Sequence, residues 1–294
     1  MSLPQRPLGR TGHLSSVLAF GGFGLASLDQ AAANAVIDDA LARGVNHFDV
    51  APSYGDAELK LAPSVARYRA HMFLACKTRE RRADAARAEL QRSLERLRTD
   101  HFDLYQCHAV SDAFDLERLL GPGGAIEAID AARASGLTRW IGITGHHCAV
   151  LRQALERYPF DTVMFPLNPI QAADPRPATD YRPLLRTAVE RGVGAIAIKA
   201  TARSPWPNGT PPSYTTWYRP FDEPDQVAAR LAFTLSHPVA TTVLPGDVRL
   251  WPTLFAAAER FTPLTESSID ALITAAAGSD PLYVESMKLA LPAY

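Results

Sequence analysis

Short apolar runs alternate along this chain with longer segments whose apolar residues recur every three to four positions. The runs fall at residues 17–21, 46–49, 72–76, 104–108, 140–144, 162–165, 195–199 and 241–244. Helical period marks residues 31–43, 83–97, 126–135, 150–157, 182–191 and 226–236, several of them closed by a stop signal such as Gly44, Gly136 or Gly192. Repeated strand-then-helix units of this kind predict a parallel sheet, and eight of them in roughly 250 residues predict an α/β fold of the (β/α)8 TIM-barrel type. The leading RPLGRTGHLS puts a Gly-Arg-Thr-Gly turn between two short extended pieces, which predicts an N-terminal β-hairpin plugging the bottom of the barrel. An open doubly wound sheet would want a glycine-rich dinucleotide turn, and the GGFG at 21–24 lacks that spacing.

Composition narrows the picture. With 294 residues, 47% of them hydrophobic, the chain can bury a large core, and no shift in composition divides it, so residues 1–294 read as a single domain. A balance of 30 basic against 31 acidic residues argues against nucleic acid or an anionic membrane as partner. No apolar run approaches the ~20 residues of a membrane helix, and the N-terminal MSLPQRPLGRTGHL lacks the apolar region of a secretory signal. Cys76, Cys107 and Cys148 read as small buried hydrophobes rather than a disulfide framework, and the expected location is the cytoplasm. Residues 201–224 hold six prolines with Trp206, Tyr214, Trp217 and Tyr218; this long aromatic segment reads as a lid whose Trp206 and Trp217 line a substrate pocket or pack the loop.

Only four lysines occur, Lys60, Lys77, Lys199 and Lys288, and two of them close strand-like runs. In a barrel of this kind the C-terminal strand ends carry the chemistry. Those ends here present Asp49 with Tyr54 just after it, Lys77, His108, Thr144 with His146, Asn168 and Lys199. A lone ammonium ending a buried run costs several kcal/mol of desolvation unless a carboxylate meets it, and Asp49 is the natural partner for Lys77. A tyrosine beside that lysine is expected to have its pKa lowered from ~10, so that it can exchange a proton with a substrate oxygen. His108, one strand further round, is placed to donate a hydrogen bond to the same oxygen. His146 and His147 are adjacent, so at most one enters the site.

HFDVAPSYG with Asp49 and Tyr54, FLACKT with Lys77 and DLYQCHAV with His108, in that order, resemble the Asp, Tyr, Lys and His tetrad of the aldo-keto reductase superfamily. RPLGRTG, the GGFGL that holds Gly22 and Phe23, and the LPG that holds Pro245 and Gly246 resemble that family's hairpin, first loop and eighth loop, and the IGITGHH stretch resembles bacterial relatives. The resemblance implies reduction of a small aldehyde or ketone by hydride from NADPH, with NADH as the alternative, and with Tyr54 as proton donor. It assigns Gly22, Phe23, Thr144, His146, Asn168, Pro245 and Gly246 to the cofactor and substrate sites and requires no metal. Departures from the family pattern are Met164 in place of a common Gln, and Phe255 and Ala256 where a Glu-Asn pair reads adenine. Arg249 is then the candidate for a 2′-phosphate, and Lys199 for the pyrophosphate or the substrate. Two other readings are a nicotinamide-binding barrel with little turnover and a metal-dependent hydrolase using His108, His146 and Asp49.

Overall fold

The computed structural model describes residues 2–174, 176–279 and 282; Lys288 and the C-terminal end of the expected domain lie outside them. Eight parallel strands close into a barrel: β3 (Leu18–Gly21), β4 (His47–Asp49), β5 (Phe73–Thr78), β6 (Phe102–Cys107), β7 (Thr138–Thr144), β8 (Thr162–Pro166), β9 (Gly194–Ile198) and β12 (Thr241–Val243), with β12 pairing back onto β3. Closure leaves no open sheet edge, and the strands read as nearly continuous apolar runs because both faces are covered.

Helices α1 (Gln30–Ala42), α2 (Ala57–Tyr68), α3 (Ala83–Leu97), α4 (Ala113–Leu120), α5 (Ala125–Ala134), α6 (Cys148–Arg157), α7 (Pro169–Ala173), α8 (Tyr181–Glu190), α9 (Pro224–Leu235), α10 (Trp251–Glu259) and α11 (Glu266–Ala275) complete the fold. Each of the six helical segments expected from the apolar period coincides with one of these to within two residues. Pro63 interrupts the pattern of α2, which the period left unmarked. Side-chain caps hold several helix starts: Asp29 accepts from Ala32 N at 2.8 Å, and His147 accepts from Val150 N at 3.4 Å.

Two cores follow from the alternation of side chains along the strands. The larger lies between strands and helices. The smaller fills the barrel interior with Phe73, Ala75, Leu104, Met164, Ile196 and Ala240, and into it the N-terminal hairpin inserts Leu8, which is fully buried. That hairpin, β1 (Gln5–Pro7) paired with β2 (Leu14–Ser16), closes the bottom, where Arg10 N donates to Gly192 O. Residues 201–224, expected as a lid, carry an antiparallel pair, β10 (Ala202–Pro205) with β11 (Tyr218–Pro220). The pair is short and proline-edged, which hid it from a pattern reading. Among the described residues, no helix is long and apolar enough to cross a membrane.

Candidate active site

The buried residues Phe48, Val50 and Ala51 fix the end of β4 so that Asp49 stands at the barrel mouth, only 2% exposed. Lys77 of β5, equally buried, donates to Asp49 Oδ2 and lies 3.2 Å from the Tyr54 hydroxyl. The other carboxylate oxygen accepts from Gln106 Nε2 at 2.9 Å. Asp49 is therefore held on both sides, by a cation and by an amide. Burial works against the Lys77 charge, but Asp49 and Tyr54 outweigh it and lift the ammonium above the usual lysine range.

For Tyr54 the expected direction is reversed. Burial raises its pKa, Asp49 adds to the rise, and Lys77 offsets only part of it, so the phenol stays above its ordinary value. The sequence reading counted the neighbouring cation and not the loss of solvent. The consequence is a hydroxyl that keeps its proton at neutral pH, which suits a donor and not a base. His108 follows β6, with its ring 5.9 Å from that of Tyr54 and edge-on to it. Burial, then the charges of Lys77, Arg79 and Arg81, push it well below the ordinary histidine value. It is a neutral imidazole whose Nδ1 is buried without a hydrogen-bond partner.

The same cavity is lined by Phe23, Thr144, His146, Lys199, Trp217, Pro245 and Gly246. Phe23 stands edge-on to Tyr54 with ring centroids 5.4 Å apart. Gly246 makes room for it: a Cβ there would come within 2.3 Å of the Phe23 ring. The Thr144 hydroxyl oxygen accepts from Ala109 N at 3.0 Å, which leaves its proton free to donate. His146 Nε2 is buried without a partner, and burial pushes the ring down to about 3; its neighbour His147 is the cap of α6.

Gly22, Asn168, Trp206 and Arg249 are not in the lining. Gly22 packs on the Asp49 carbonyl, where a Cβ would sit 2.7 Å from the oxygen. Asn168 uses both ends of its amide structurally, donating to Lys199 O and accepting from Gln171 N, each at 2.9 Å. Trp206 donates to Thr216 O at 2.8 Å, tying the loop between β10 and β11 to itself. Arg249 forms an ion pair with Asp247 at 2.6 Å and donates to Ser213 O at 2.7 Å. Asp247 also accepts from Thr215 N at 2.9 Å, so these two residues latch the aromatic loop over the mouth.

A buried Lys–Asp pair beside a protonated tyrosine and a neutral histidine, at the C-terminal end of a parallel barrel, has the groups that could polarise and protonate a carbonyl oxygen. Comparison with known proteins gives the family. The Aldo/keto reductase family profile matches residues 17–207. The chain belongs to that family. L-galactose dehydrogenase of Arabidopsis thaliana is 28% identical over 227 residues, covering 71% of this chain and 69% of that protein. The Bacillus subtilis (strain 168) oxidoreductase YqkF is 26% identical over 182 residues, or 57% and 55% of the two chains. In fold, the chain is similar to the holo form of aldo-keto reductase AKR11C1 from Bacillus halodurans, with a TM-score of 0.73, 24% identity and coverage of 96% and 98%.

This aldo/keto reductase is therefore an NAD(P)H-dependent oxidoreductase, and carbonyl reduction is its general chemistry. The mouth fits the nicotinamide end of such a cofactor. The Thr144 hydroxyl and the orphaned His146 Nε2 are hydrogen-bonding groups for an amide, and Phe23 and Trp217 supply flat apolar walls. Among the described residues, no three His, Cys, Asp or Glu side chains group to hold a metal, and the Asp49 oxygens are already taken by Lys77 and Gln106. Sequence reasoning missed Gln106 and Arg79; Tyr218, named in the aromatic segment, does line the cavity. Gln106 had a signal: it lies two residues before His108, hence on the same strand face, in a run otherwise apolar on that face.

Proposed function

We propose that this protein reduces a small aldehyde or ketone to the alcohol, with Tyr54 as the proton donor. A nicotinamide cofactor, when held at the mouth, would supply the hydride. As negative charge develops on the substrate oxygen, the Tyr54 hydroxyl gives up its proton, and the phenolate left behind faces the Lys77 ammonium at 3.2 Å. Asp49 and Gln106 hold Lys77 charged and in place. His108, kept neutral, donates a hydrogen bond to the same substrate oxygen. The observation that carries the reading is the Lys77–Tyr54 contact, backed by a carboxylate whose two oxygens are both engaged.

NADPH, the cofactor the family resemblance implies, is the first to test; NADH must be tested beside it, because Arg249, the residue considered for a 2′-phosphate, is already bonded to Asp247. That same pairing, with buried Phe255 where the family places a polar adenine contact, favours a second reading: a barrel that binds nicotinamide but turns over little. Quenching of protein fluorescence by NADPH and by NADH, followed by turnover on a panel of aldehydes, separates the two. The panel includes L-galactose in the oxidative direction, since a relative carries that activity in its name. Reduction by the parent protein, and its loss in Tyr54→Phe with cofactor quenching retained, supports the reductase; equal rates in parent and variant remove Tyr54 from the reaction.

A further inference from the structure

Lys199 stands just past β9 in a left-handed backbone, φ 65, a region that residues other than glycine, asparagine and aspartate seldom enter. Two donors hold that conformation through the Lys199 carbonyl: Asn168 Nδ2 at 2.9 Å and Ala202 N at 3.0 Å. The side chain reaches the cavity between two rings, with Nζ 4.6 Å from the Trp217 centroid and 4.8 Å from that of Tyr218. No carboxylate among the described residues pairs with it. Lys77, Arg79 and Lys199 bring three cations to the lining, against Asp49 alone, and both Asp49 oxygens are already engaged.

Ring faces offset part of the cost of a desolvated ammonium, but they cannot replace a counter-ion. Burial, with Lys77 adding to it, lowers the Lys199 pKa to about 7. A side chain needed only for packing would be better filled by methionine or leucine. The ammonium becomes favourable when the ligand supplies the missing negative charge. It also lies near enough to Lys77 and His146 for the charges to influence one another, in the chamber where the reacting carbonyl must sit beside Tyr54.

We propose that Lys199 is the specificity-determining residue of the substrate site and that the substrate is an oxo acid, an aldehyde or ketone whose carboxylate pairs with Lys199 while its carbonyl oxygen faces Tyr54. The inference rests on the reductase reading above and adds the class of substrate. The rings of Trp217 and Tyr218 flank the ammonium and present apolar surface to the carbon skeleton between the two polar ends.

The test uses matched pairs that differ only in charge: succinate semialdehyde with butanal, and 4-carboxybenzaldehyde with 4-methylbenzaldehyde. In the parent protein kcat/KM favours the acid of at least one pair by about tenfold or more, as expected for a charge-assisted bond. Lys199→Met lowers that ratio by about the same factor, and Lys199→Arg retains part of it. With its pKa lowered to about 7, Lys199 loses its proton near there, whereas Lys77 stays charged and His108, His146, Tyr54 and Tyr218 stay neutral; Arg79 is the other cation of the lining. The preference is therefore strongest below about pH 7 and fades above it. Calorimetric binding of succinate and benzoate, present in the parent and in Tyr54→Phe but absent in Lys199→Met, reads the anion site without turnover. That arm still supports the site if the Tyr54 reading fails. Equal handling of acids and neutral partners by the parent, anion binding that survives Lys199→Met, or a Lys199→Met protein that loses cofactor affinity with its substrate ratio unchanged overturns the inference.

Discussion

The two ends of the barrel treat buried charge in opposite ways. At the bottom, carboxylates are spent on closing the structure: Asp103 accepts from Leu74 N at 2.9 Å and pairs with Arg69 at 2.9 Å, while Asp161 accepts from Ile141 N at 2.9 Å and pairs with Arg10 at 3.0 Å. Each acid there ties the backbone of a neighbouring strand to an arginine. At the mouth one carboxylate stands among three cations and pairs with Lys77, the Tyr54 proton is held, and Nδ1 of His108 and Nε2 of His146 have no partner. Among the charged groups the bottom is paired and the mouth is left open, although Nε2 of His13 and of His47 lacks a partner at the bottom too. Groups left open after folding are the ones able to answer a ligand, and that asymmetry separates stabilising charge from working charge in a single fold.

The largest effect that tests this contrast belongs to Lys77. Lys77→Met strands Asp49 in the interior and removes the charge that stabilises a Tyr54 phenolate. Turnover is expected to fall about a hundredfold to ten-thousandfold, with about 3–5 kcal/mol of stability lost by denaturant titration. Asp103→Asn at the bottom is the counterpart: about 1–3 kcal/mol of stability lost, with kcat/KM of the folded protein unchanged. If Asp103→Asn lowered kcat as Lys77→Met does, the division of labour between the two ends would be wrong.

How much of this was legible beforehand follows the same line. The barrel could be read because parallel strands covered on both faces leave apolar runs of strand length, and because glycine stops mark the helices. The residues of the tetrad could be read because an acid, a lysine and a histidine each end such a run. What pattern could not supply was the balance of opposing terms at one atom. Tyr54 gains a cation and loses its water, and only the packed surroundings show that the second effect is larger. Nor could the sequence show that Asn168 and Arg249 spend their polar groups on Lys199 O and Asp247. A short antiparallel pair edged by Pro205 and Pro220 has too few residues to show a period at all.

Gln106 sharpens the comparison at an intermediate scale. It touches Asp49 and no reacting atom, so it acts as a positioning residue for the pair that charges Lys77. Gln106→Ala is expected to lower kcat about tenfold with KM little changed, since the cavity wall stays intact. Gln106→Asn or Gln106→Glu, which keep a polar terminus, separates placement of Asp49 from bulk: rescue by Asn and further loss with Glu fits an amide that donates to a carboxylate. A rise in KM with kcat constant would place Gln106 in binding instead.

The last expected effect lies at the bottom and concerns acid. His47 is fully buried against Ser15 Oγ at 3.0 Å, and burial, helped by the charges of His13 and Lys77, pushes it down to about 3. Folded, the ring stays neutral; unfolded, it takes a proton below its ordinary value near 6.5. The unfolded chain therefore binds more protons in the window from about 6.5 down to about 3, and stability falls as pH drops through it, having been fully present above. One such group contributes a slope of about 1.4 kcal/mol per pH unit. His47→Gln, which keeps a polar partner for Ser15, should flatten the stability profile by about that amount between pH 6 and pH 4 without altering the carboxylate preference set at the mouth. Coincident profiles for parent and variant would show that His47 is protonated in the fold, and that the bottom, like the mouth, carries a charge free to respond.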